Sequence, residues 1–282
     1  MSVTSTTASG TAAVNNVKLA VRDWGDGQPP LLLLHGYMGS GLDWVDVAPL
    51  LADGRRVVAY DHRGHGQSSH PTGVDAYTFE ALARDLGAFI EMSEQGPVDL
   101  LGHSMGGVVA LMYALRHPER VRSLVLMDTA AAPAGNVPME VLGPLIAIGR
   151  EQGMGAVAQV VAEFAVNMPG VKSQSPDVIR ERAIAKFSAM DIEALEAFAA
   201  ELGRYPSMVD RLKEIACPVT VIVGENDEGL RAAADVFAER IVDADLVVIP
   251  GAGHSPQEDR PEAWVAAVLQ HLARAANTEA GQ

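Results

Sequence analysis

The sequence has almost no cysteine and no long apolar run. Cys217 is the only cysteine in 282 residues, so no disulfide can form within the chain, and a small secreted fold held together by disulfides is excluded. No stretch is long and apolar enough to span a membrane. The first 13 residues contain neither a basic residue nor the apolar block of a secretory signal, and we therefore expect a cytoplasmic protein.

Basic residues are also scarce. The chain has 21 Lys and Arg residues against 36 Asp and Glu residues, which gives a formal net charge of −15. Nucleic acids and anionic membranes carry dense negative charge and would repel such a surface. We therefore expect a small-molecule substrate and neither nucleic acid nor membrane as a partner. The sequence leaves a monomer and a homodimer both open.

Apolar residues, in contrast, make up 48% of the chain, which is enough for a sizeable core. Short apolar runs predict strands, and helical periodicity predicts helices between them. The predicted strands cover residues 14–24, 31–34, 56–60, 97–101, 121–127, 218–223 and 246–249. The predicted helices cover residues 44–51, 78–92, 108–116, 230–241 and 261–275. This alternation predicts an α/β fold whose parallel strands are joined by right-handed crossovers.

The alternation stops between about residues 132 and 215. This stretch shows helical periodicity, is interrupted by several prolines and contains no convincing strand. Because the strand pattern resumes after it, we interpret it as a helical cap inserted into one domain rather than as a second domain. The predicted organisation is a single domain over residues 14–276, with disordered segments at residues 1–13 and 277–282.

The chemistry is predicted to centre on a G-x-S-x-G motif at residues 102–106. A strand precedes Gly102 and a helix follows Gly106, so Ser104 lies on a sharp strand-to-helix turn. Such a turn brings chain segments so close together that a β-carbon at either glycine would clash. It also exposes the hydroxyl group of Ser104 and directs the backbone N–H of Met105 towards the group that this hydroxyl attacks. The motif therefore predicts a nucleophilic serine.

A nucleophilic serine needs a histidine base and a carboxylate that orients the base. Among eight histidines, His254 follows the last predicted strand in a loop with two glycines. Parallel strands present their carboxyl ends to one crevice, so this loop and the serine meet at the same edge of the sheet. Asp227, which follows the preceding strand, ranks first as the acid. Asp128 ranks second and Glu225 third.

Five motifs resemble those of the α/β-hydrolase fold family. They are His35-Gly36-Tyr37, Asp61-His62-Arg63-Gly64-His65-Gly66-Gln67-Ser68, the segment from Gly102 to Gly107, Gly224-Glu225-Asn226-Asp227 and Gly253-His254. The resemblance covers nearly all of residues 14–275 and implies a mostly parallel, eight-stranded sheet flanked by helices, with an inserted helical cap. It also implies a catalytic triad of Ser104, His254 and Asp227. The implied oxyanion hole consists of the backbone N–H groups of Tyr37 and Met105.

The loop after the third predicted strand holds several histidines close together. His62, His65 and His70 lie near enough in sequence for a zinc site. We favour a structural role, in which Asp61 and Arg63 pair with each other or with the loop backbone, because members of the resembled family carry this loop without metal. We therefore predict neither a metal nor a cofactor.

The apolar residues of the cap indicate the kind of substrate. Flexible and aromatic side chains suit an apolar substrate of irregular shape. The residues predicted to contact it are Tyr37, Met139, Leu142, Ile146 and Phe164.

The predicted activity is that of a carboxylesterase-like serine hydrolase. It would cleave esters or lactones of small to medium apolar substrates through an acyl-enzyme. Alternatives on the same triad are a carbon–carbon bond hydrolase and a perhydrolase. The sequence Ser-Met-Gly-Gly at residues 104–107 also resembles the corresponding segment of perhydrolases. An alternative of another class is a ligand receptor on a hydrolase scaffold. Epoxide hydrolases and haloalkane dehalogenases need an aspartate nucleophile, and Ser104 argues against both.

Overall fold

Eight strands form one sheet in the order β1-β2-β4-β3-β5-β6-β7-β8. The computed structural model describes residues 8–92, 96–133, 139–167 and 174–280. The strands are β1 (Ala8–Val14), β2 (Val17–Trp24), β3 (Leu31–Leu34), β4 (Val57–Tyr60), β5 (Val98–His103), β6 (Val121–Met127), β7 (Val219–Gly224) and β8 (Ala244–Ile249). The pairs β1–β2 and β2–β4 are antiparallel, and every pair from β4 to β8 is parallel. This confirms the mostly parallel, eight-stranded sheet.

Strand β3 shows how the sequence builds the core on both faces of this sheet. Its four leucines are all buried. Leu31 and Leu33 contribute to the core on one face, and Leu32 and Leu34 contribute to the core on the other. Successive side chains of a strand point in opposite directions. A parallel strand that is covered on both faces therefore reads as a continuous apolar run.

Helices cover both faces of the sheet. They are α1 (Ala48–Leu51), α2 (Phe79–Met92), α3 (Met105–Arg116), α4 (Met139–Gln152), α5 (Met154–Asn167), α6 (Pro176–Ser188), α7 (Ile192–Leu202), α8 (Glu228–Arg240), α9 (Pro256–Asp259) and α10 (Pro261–Ala280). One face packs against α2, α3 and α8, and the other face packs against α1 and α10. None of the helices, over the described residues, combines the length and apolar character of a membrane span.

The amphipathic pattern of α2 explains how such a helix attaches to the sheet. Phe79, Leu82, Leu86 and Ile90 recur at intervals of three or four residues, and each is at most 1% exposed. Residues with this spacing form one stripe along a helix. Because burial of each such side chain contributes roughly 1.5–3 kcal/mol, the stripe fixes α2 against the sheet.

Residues 8–13 and 277–280 form regular secondary structure that the sequence does not predict. Strand β1 pairs along its whole length with β2, across a turn at Asn15 and Asn16 whose φ values are +45° and +62°. Such left-handed residues suit a tight hairpin. The prediction of disorder over residues 1–13 is therefore wrong for residues 8–13, and residues 1–7 lie outside the described part. Strand β1 lies at the edge of the sheet and is held by backbone hydrogen bonds. Its composition, mostly small residues, therefore does not predict a strand.

The last helix also extends further than predicted. Helix α10 continues to Ala280, so the prediction of a disordered tail is wrong for residues 277–280. Residues 281–282 lie outside the described part. The continuation contains Ala, Asn, Thr and Glu and no Gly or Pro, so nothing in it stops a helix that is already anchored on the sheet.

Between β6 and β7 the chain forms the helices α4 to α7 and a 3₁₀ turn at Val209–Glu214. The described residues of this stretch contain no strand; residues 134–138 and 168–173 lie outside the description. Leu195 and Phe198 of α7 are fully buried in the core on the α2–α3 face. This helix therefore connects the cap region to the main body.

Candidate active site

Ser104 lies at the junction of β5 and α3. Its backbone angles, φ +50° and ψ −116°, are unusual for a residue with a side chain. Hydrogen bonds hold this conformation in place. The N–H of Ser104 donates to the carbonyl of Met127 (2.9 Å), and its carbonyl accepts from the N–H of Gly107 (2.9 Å) and the hydroxyl of Thr129 (2.7 Å). The turn is therefore fixed from both sides.

Two glycines allow this turn to close. A β-carbon at Gly102 would lie 2.4 Å from the carbonyl oxygen of Gly106, and one at Gly106 would lie 2.5 Å from the carbonyl oxygen of Leu34. Contacts between a β-carbon and backbone at these distances are not tolerated. At both positions a β-carbon would therefore clash, as the motif predicts.

His254 and Asp227 meet at the carboxyl ends of β8 and β7. Nδ1 of His254 donates to Oδ2 of Asp227 over 2.6 Å. The two loops are joined by a backbone hydrogen bond from Asn226 to Ala252, 2.8 Å long. Since Nδ1 is engaged, Nε2 is the ring nitrogen that remains for proton transfer. Of the three acids considered from the sequence, Asp227 is the one that hydrogen-bonds to His254.

Asp227 is held in its charged form. Burial alone would raise its pKa, but the hydrogen bond from His254, the charge of His254 and the proximity of Asp128 outweigh burial and lower the pKa below its ordinary value. Its side chain is 12% exposed, whereas that of His254 is 48% exposed. The acid is therefore shielded behind a histidine that remains accessible to a substrate.

His103, next to Ser104 in sequence, supports the backbone of His254. Its Nε2 donates to the carbonyl oxygen of His254 (2.7 Å), and the two ring centroids lie 5.0 Å apart. Burial, with a contribution from the nearby His254, lowers the pKa of His103 to about 3, so the ring is neutral near pH 7. His103 therefore connects the serine turn to the histidine loop.

Asp128, which ranked second as the acid, lies behind Asp227. It follows β6 with φ +43°, and its Oδ1 accepts a hydrogen bond from the N–H of Gly224 (2.9 Å). One carboxylate oxygen each from Asp128 and Asp227 and one ring nitrogen of His254 lie within 4.8 Å of one another. Glu225, ranked third, instead accepts a hydrogen bond from the N–H of Gly251. The sequence did not predict the pairing of Asp128 with Asp227.

The two residues of the implied oxyanion hole belong to segments that adjoin Ser104. Met105 is the first residue of α3, where backbone N–H groups have no partner within the helix. The loop after β3 passes close to the serine, since a β-carbon at Gly36 would lie 3.2 Å from that of Ser104. Tyr37 is the next residue of this loop.

The side chain of Tyr37 contacts the cap. Its hydroxyl donates to the carbonyl oxygen of Leu195 in α7 over 2.5 Å. Burial raises the pKa of this hydroxyl well above its usual range, so it remains a donor. Tyr37 was also predicted to contact substrate, and this contact stays a prediction.

Lys186 of α6 forms a second link between the cap and the site. Its Nζ lies 2.7 Å from Oδ1 of Asp43 and 3.5 Å from Oε1 of Glu258. Asp43 also accepts from the N–H of Ser40 in the loop after β3. Burial opposes the charge of Lys186, but the two carboxylates outweigh it and raise the pKa. Sequence reasoning missed this contact, because it joins residues 143 positions apart.

The cap residues predicted to contact substrate differ in exposure. Met139 is 51% exposed and Phe164 is 63% exposed, whereas Leu142 is buried. Ile146 is half-buried and packs against the core on the α2–α3 face, as Tyr37 also does. Their contact with a substrate therefore stays a prediction.

The histidine-rich loop forms a buried neutral cluster with His35. The ring centroids of His62 and His65 lie 4.4 and 5.0 Å from that of His35. Burial lowers the pKa of His35 and of His65 to about 3 and that of His62 well below its ordinary value. His70 lies apart from them, 3.7 Å from a carboxylate oxygen of Asp191.

The pairing expected of Asp61 and Arg63 is partly wrong. Asp61 accepts from the backbone N–H groups of Gly41 (2.7 Å) and Gln67 (2.9 Å), as a loop-bracing residue would. Arg63 instead forms two 2.7 Å hydrogen bonds with Asp85 of α2. A buried guanidinium needs a bidentate partner, and the neighbouring helix supplies one.

A cleft of about 440 Å³ lies away from these residues, between β2 and α2. It is lined by Val21, Asp23, Arg56 and Phe89 among others, and by no residue predicted for the site. Pro30 and Arg56 lie directly before β3 and β4, at the amino ends of these strands. Because Ser104 follows the carboxyl end of β5, the cleft lies towards the opposite edge of the sheet.

Comparisons with known proteins identify the family to which the chain belongs. A family profile described as alpha/beta hydrolase fold matches residues 29–146. Non-heme chloroperoxidase CPO-A1 of Kitasatospora aureofaciens is 31% identical over 258 residues, which are 85% of this chain and 90% of that protein. The chain therefore belongs to the alpha/beta hydrolase fold family.

Two further likenesses concern hydrolases. 3-Oxoadipate enol-lactonase 2 of Acinetobacter baylyi is 29% identical over 262 residues, covering 92% of this chain and 94% of that protein. The structure of a thermophilic esterase from Thermogutta terrifontis matches with a TM-score of 0.79 and 29% identity, covering 95% of this chain and 99% of that chain. These relatives support a hydrolase.

Proposed function

We propose that the protein is a serine hydrolase that cleaves carboxylic esters or lactones of small to medium apolar substrates. Ser104 acts as the nucleophile, His254 as the general base and Asp227 as the acid that orients it. The observation that carries the proposal is the 2.6 Å hydrogen bond between His254 and Asp227, formed at the sheet edge that also presents the Ser104 turn.

The first half of the reaction forms an acyl-enzyme. The hydroxyl oxygen of Ser104 attacks the carbonyl carbon while Nε2 of His254 takes the hydroxyl proton. The backbone N–H groups of Tyr37 and Met105 stabilise the negative charge that develops on the carbonyl oxygen. His254 then returns the proton to the leaving alcohol as the ester bond breaks. Asp227 stabilises the imidazolium between these two proton transfers.

The second half repeats these steps with water. His254 takes a proton from a water molecule, whose oxygen attacks the acyl carbon. Collapse of the second tetrahedral intermediate breaks the bond to Ser104, which regains its proton from His254. For a lactone the leaving hydroxyl stays attached to the acyl group, and the product is a hydroxy acid. The enol-lactonase and esterase relatives support this class of substrate.

The decisive experiment compares wild type and Ser104→Ala on a panel of esters, lactones and vinylogous diketones. We expect the variant to keep its fold and lose turnover down to the residual rate that an oxyanion hole alone can support. A fluorophosphonate should label wild type and not this variant. Ser207→Ala is the matched control, because Ser207 is an exposed serine away from the turn and its loss should leave labelling intact. Near wild-type turnover by Ser104→Ala would disprove the proposal.

A perhydrolase is the second candidate, because residues 104–107 resemble the corresponding segment of perhydrolases and a non-heme chloroperoxidase is 31% identical to this chain over 258 residues. On the same acyl-enzyme, hydrogen peroxide would replace water, so that the acyl group leaves as a peracid and Ser104 is regenerated. Adding peroxide to the ester assay and measuring peracid tests this. The same panel of substrates also tests the remaining alternatives. Preference for diketones would indicate carbon–carbon hydrolysis, and tight binding with very slow turnover would indicate a receptor.

A further inference from the structure

Two carboxyl groups, those of Asp128 and Asp227, lie side by side behind His254. Asp128 is 1% exposed. Its Oδ1 accepts a hydrogen bond from the N–H of Gly224, whereas its Oδ2 is buried and receives none from any donor in the described residues. The neighbour of Asp128 is Asp227, itself an acceptor when ionised. An oxygen of each acid lies within 4.8 Å of the other. Two ionised carboxylates cannot hydrogen-bond to each other, so a hydrogen bond within this pair requires a proton on one of the two acids.

The surroundings decide which of the two acids carries that proton. Asp227 is hydrogen-bonded to His254, which favours its charged form. Among the charged groups near Asp128, the carboxylates of Asp227 and Asp259 both oppose its ionisation. Burial opposes it further and is the largest contribution, while the N–H of Gly224 favours it more weakly, so the pKa of Asp128 lies far above its ordinary value. The proton therefore belongs on Asp128.

We propose that Asp128 is a positioning residue whose protonated carboxyl group donates a hydrogen bond to the carboxylate of Asp227. This hydrogen bond fixes the carboxylate against Nδ1 of His254 while adding no second negative charge to the site. The inference rests on the proposed function of Ser104, His254 and Asp227. Asp128 acts through Asp227 and does not touch the substrate.

The two states of Asp128 have opposite consequences for His254. A protonated Asp128 leaves one net negative charge behind the imidazole, that of Asp227. An ionised Asp128 would place a second negative charge within 4.8 Å. A nearby opposite charge favours a protonated imidazole and displaces its titration by about one to three pH units. The pH profile therefore distinguishes the two states.

Two substitutions test the proposal. Asp128→Asn is an isosteric copy of the protonated acid, because its amide can accept from Gly224 and donate to Asp227. Asp128→Ala removes the donor. Since a hydrogen bond to a charged group contributes about 1.5–3 kcal/mol, Asp128→Ala should lower kcat by about tenfold to a hundredfold. KM should change much less, because Asp128 makes no substrate contact. Asp128→Asn should restore most of the lost kcat.

The pH dependence of kcat/KM is the second readout. The acid limb of this profile reports the deprotonation of the general base in the free enzyme. With Asp128→Asn we expect the midpoint of the limb to stay at the wild-type pH, because a neutral group replaces a neutral group. A midpoint that falls by about one pH unit or more would show that Asp128 is ionised and would overturn the proposal. So would an Asp128→Asn enzyme as slow as Asp128→Ala, or an Asp128→Ala enzyme with wild-type kcat.

Infrared spectroscopy detects the proton without turnover. At pH 7 wild type should show the carbonyl stretch of a protonated carboxyl group, and Asp128→Asn should lack it. Glu225→Gln is the matched control, because Glu225 is an exposed acid in the same loop as Asp227, and the band should persist in this variant. Absence of the band from wild type would overturn the proposal even if Asp128→Ala fails to fold. The band should also persist in Ser104→Ala, which separates this proposal from a failure of the proposed function.

Discussion

The hydroxyl of Tyr37 donates a hydrogen bond to the backbone carbonyl of Leu195, 2.5 Å away, and so joins the loop beside Ser104 to helix α7 of the cap. Tyr37 thereby has two separate functions in this proposal. Its backbone N–H contributes to the oxyanion hole, and its side chain ties the position of that N–H to the cap. A shift of the cap would therefore be transmitted to the group that stabilises the developing charge.

Tyr37→Phe should lower kcat by about twofold to tenfold, because a hydrogen bond of this kind contributes about 0.5–1.5 kcal/mol and here holds the oxyanion loop. Steady-state kinetics on the best ester measures the effect. The matched control is Tyr205→Phe, which removes a 3.1 Å hydrogen bond from Tyr205 to the carbonyl of Ala130. Both variants should lose a similar small amount of Tm, and only Tyr37→Phe should lose kcat. Equal kinetics in the two variants would show that the contact only holds the cap.

Asp227→Asn should lower kcat by on the order of 10⁴, by analogy with the same change in a serine protease. The amide that replaces the carboxylate would present the wrong hydrogen-bond partner to Nδ1 of His254, favour the wrong tautomer and remove the charge that stabilises the imidazolium. Single-turnover acylation measures this loss directly. Asp235→Asn is the control, because Asp235 is an exposed acid on helix α8, which begins directly after Asp227. A loss below tenfold for Asp227→Asn would reassign the acid.

Five buried histidines should make the fold sensitive to acid. Burial lowers the pKa of His35, His65 and His103 to about 3 and of His271 to about 4, and it lowers that of His62 as well. An unfolded histidine titrates near about 6.5. Between these values only the unfolded chain binds the proton. The free energy of unfolding should therefore fall as the pH drops below about 6.5, by up to about 1.4 kcal/mol per pH unit for each histidine.

Urea unfolding at a series of pH values from 7 to 4 tests this slope. His271→Gln should reduce it by up to about 1.4 kcal/mol per pH unit, since His271 is buried and hydrogen-bonded to Thr220 over 2.8 Å. His117→Gln is the matched control, because it makes the same change at a histidine whose side chain is half-exposed. A slope that His271→Gln leaves unchanged would contradict a neutral, buried His271.

Much of the sheet and the serine turn could be predicted because their signals are local. A run such as Leu31 to Leu34 identifies a strand covered on both faces, and two glycines beside Ser104 identify a close crossing of backbone. The order of the strand ends also placed Asp227 and His254 in neighbouring loops. This order favours a hydrogen bond between the two residues, such as the one that they form.

Contacts that depend on burial or on distant partners could not be predicted. The composition of β1 resembles that of a flexible segment, since edge pairing uses backbone groups alone. The partner of Arg63 is Asp85, a residue on another element that no local pattern connects to it. The protonation proposed for Asp128 depends on the negative charges of Asp227 and Asp259, which both act on it. Each of these features is a property of the folded surroundings and not of a short stretch of sequence.

The cap leads to a prediction about substrate length. Burial of apolar surface contributes about 0.8 kcal/mol per CH₂ group, which corresponds to up to about fourfold in kcat/KM. If Leu142, Ile146 and Phe164 contact the substrate, kcat/KM for p-nitrophenyl esters should rise from acetate to a short or medium chain and then fall when the pocket is full. Anionic substrates should react poorly, because the chain carries a net charge of −15 and the cap side chains predicted to contact substrate are apolar.

The position of the optimum should depend on Phe164. Its side chain is 63% exposed and is the largest apolar group among the cap residues predicted to contact substrate. Phe164→Ala should therefore move the optimum to a longer acyl chain by removing the far wall of the pocket. Val242→Ala is the control, because Val242 is 89% exposed at the end of α8 and outside the cap. A steady decline of kcat/KM from acetate onwards would contradict an apolar pocket, and an optimum that Phe164→Ala leaves in place would remove Phe164 from its wall.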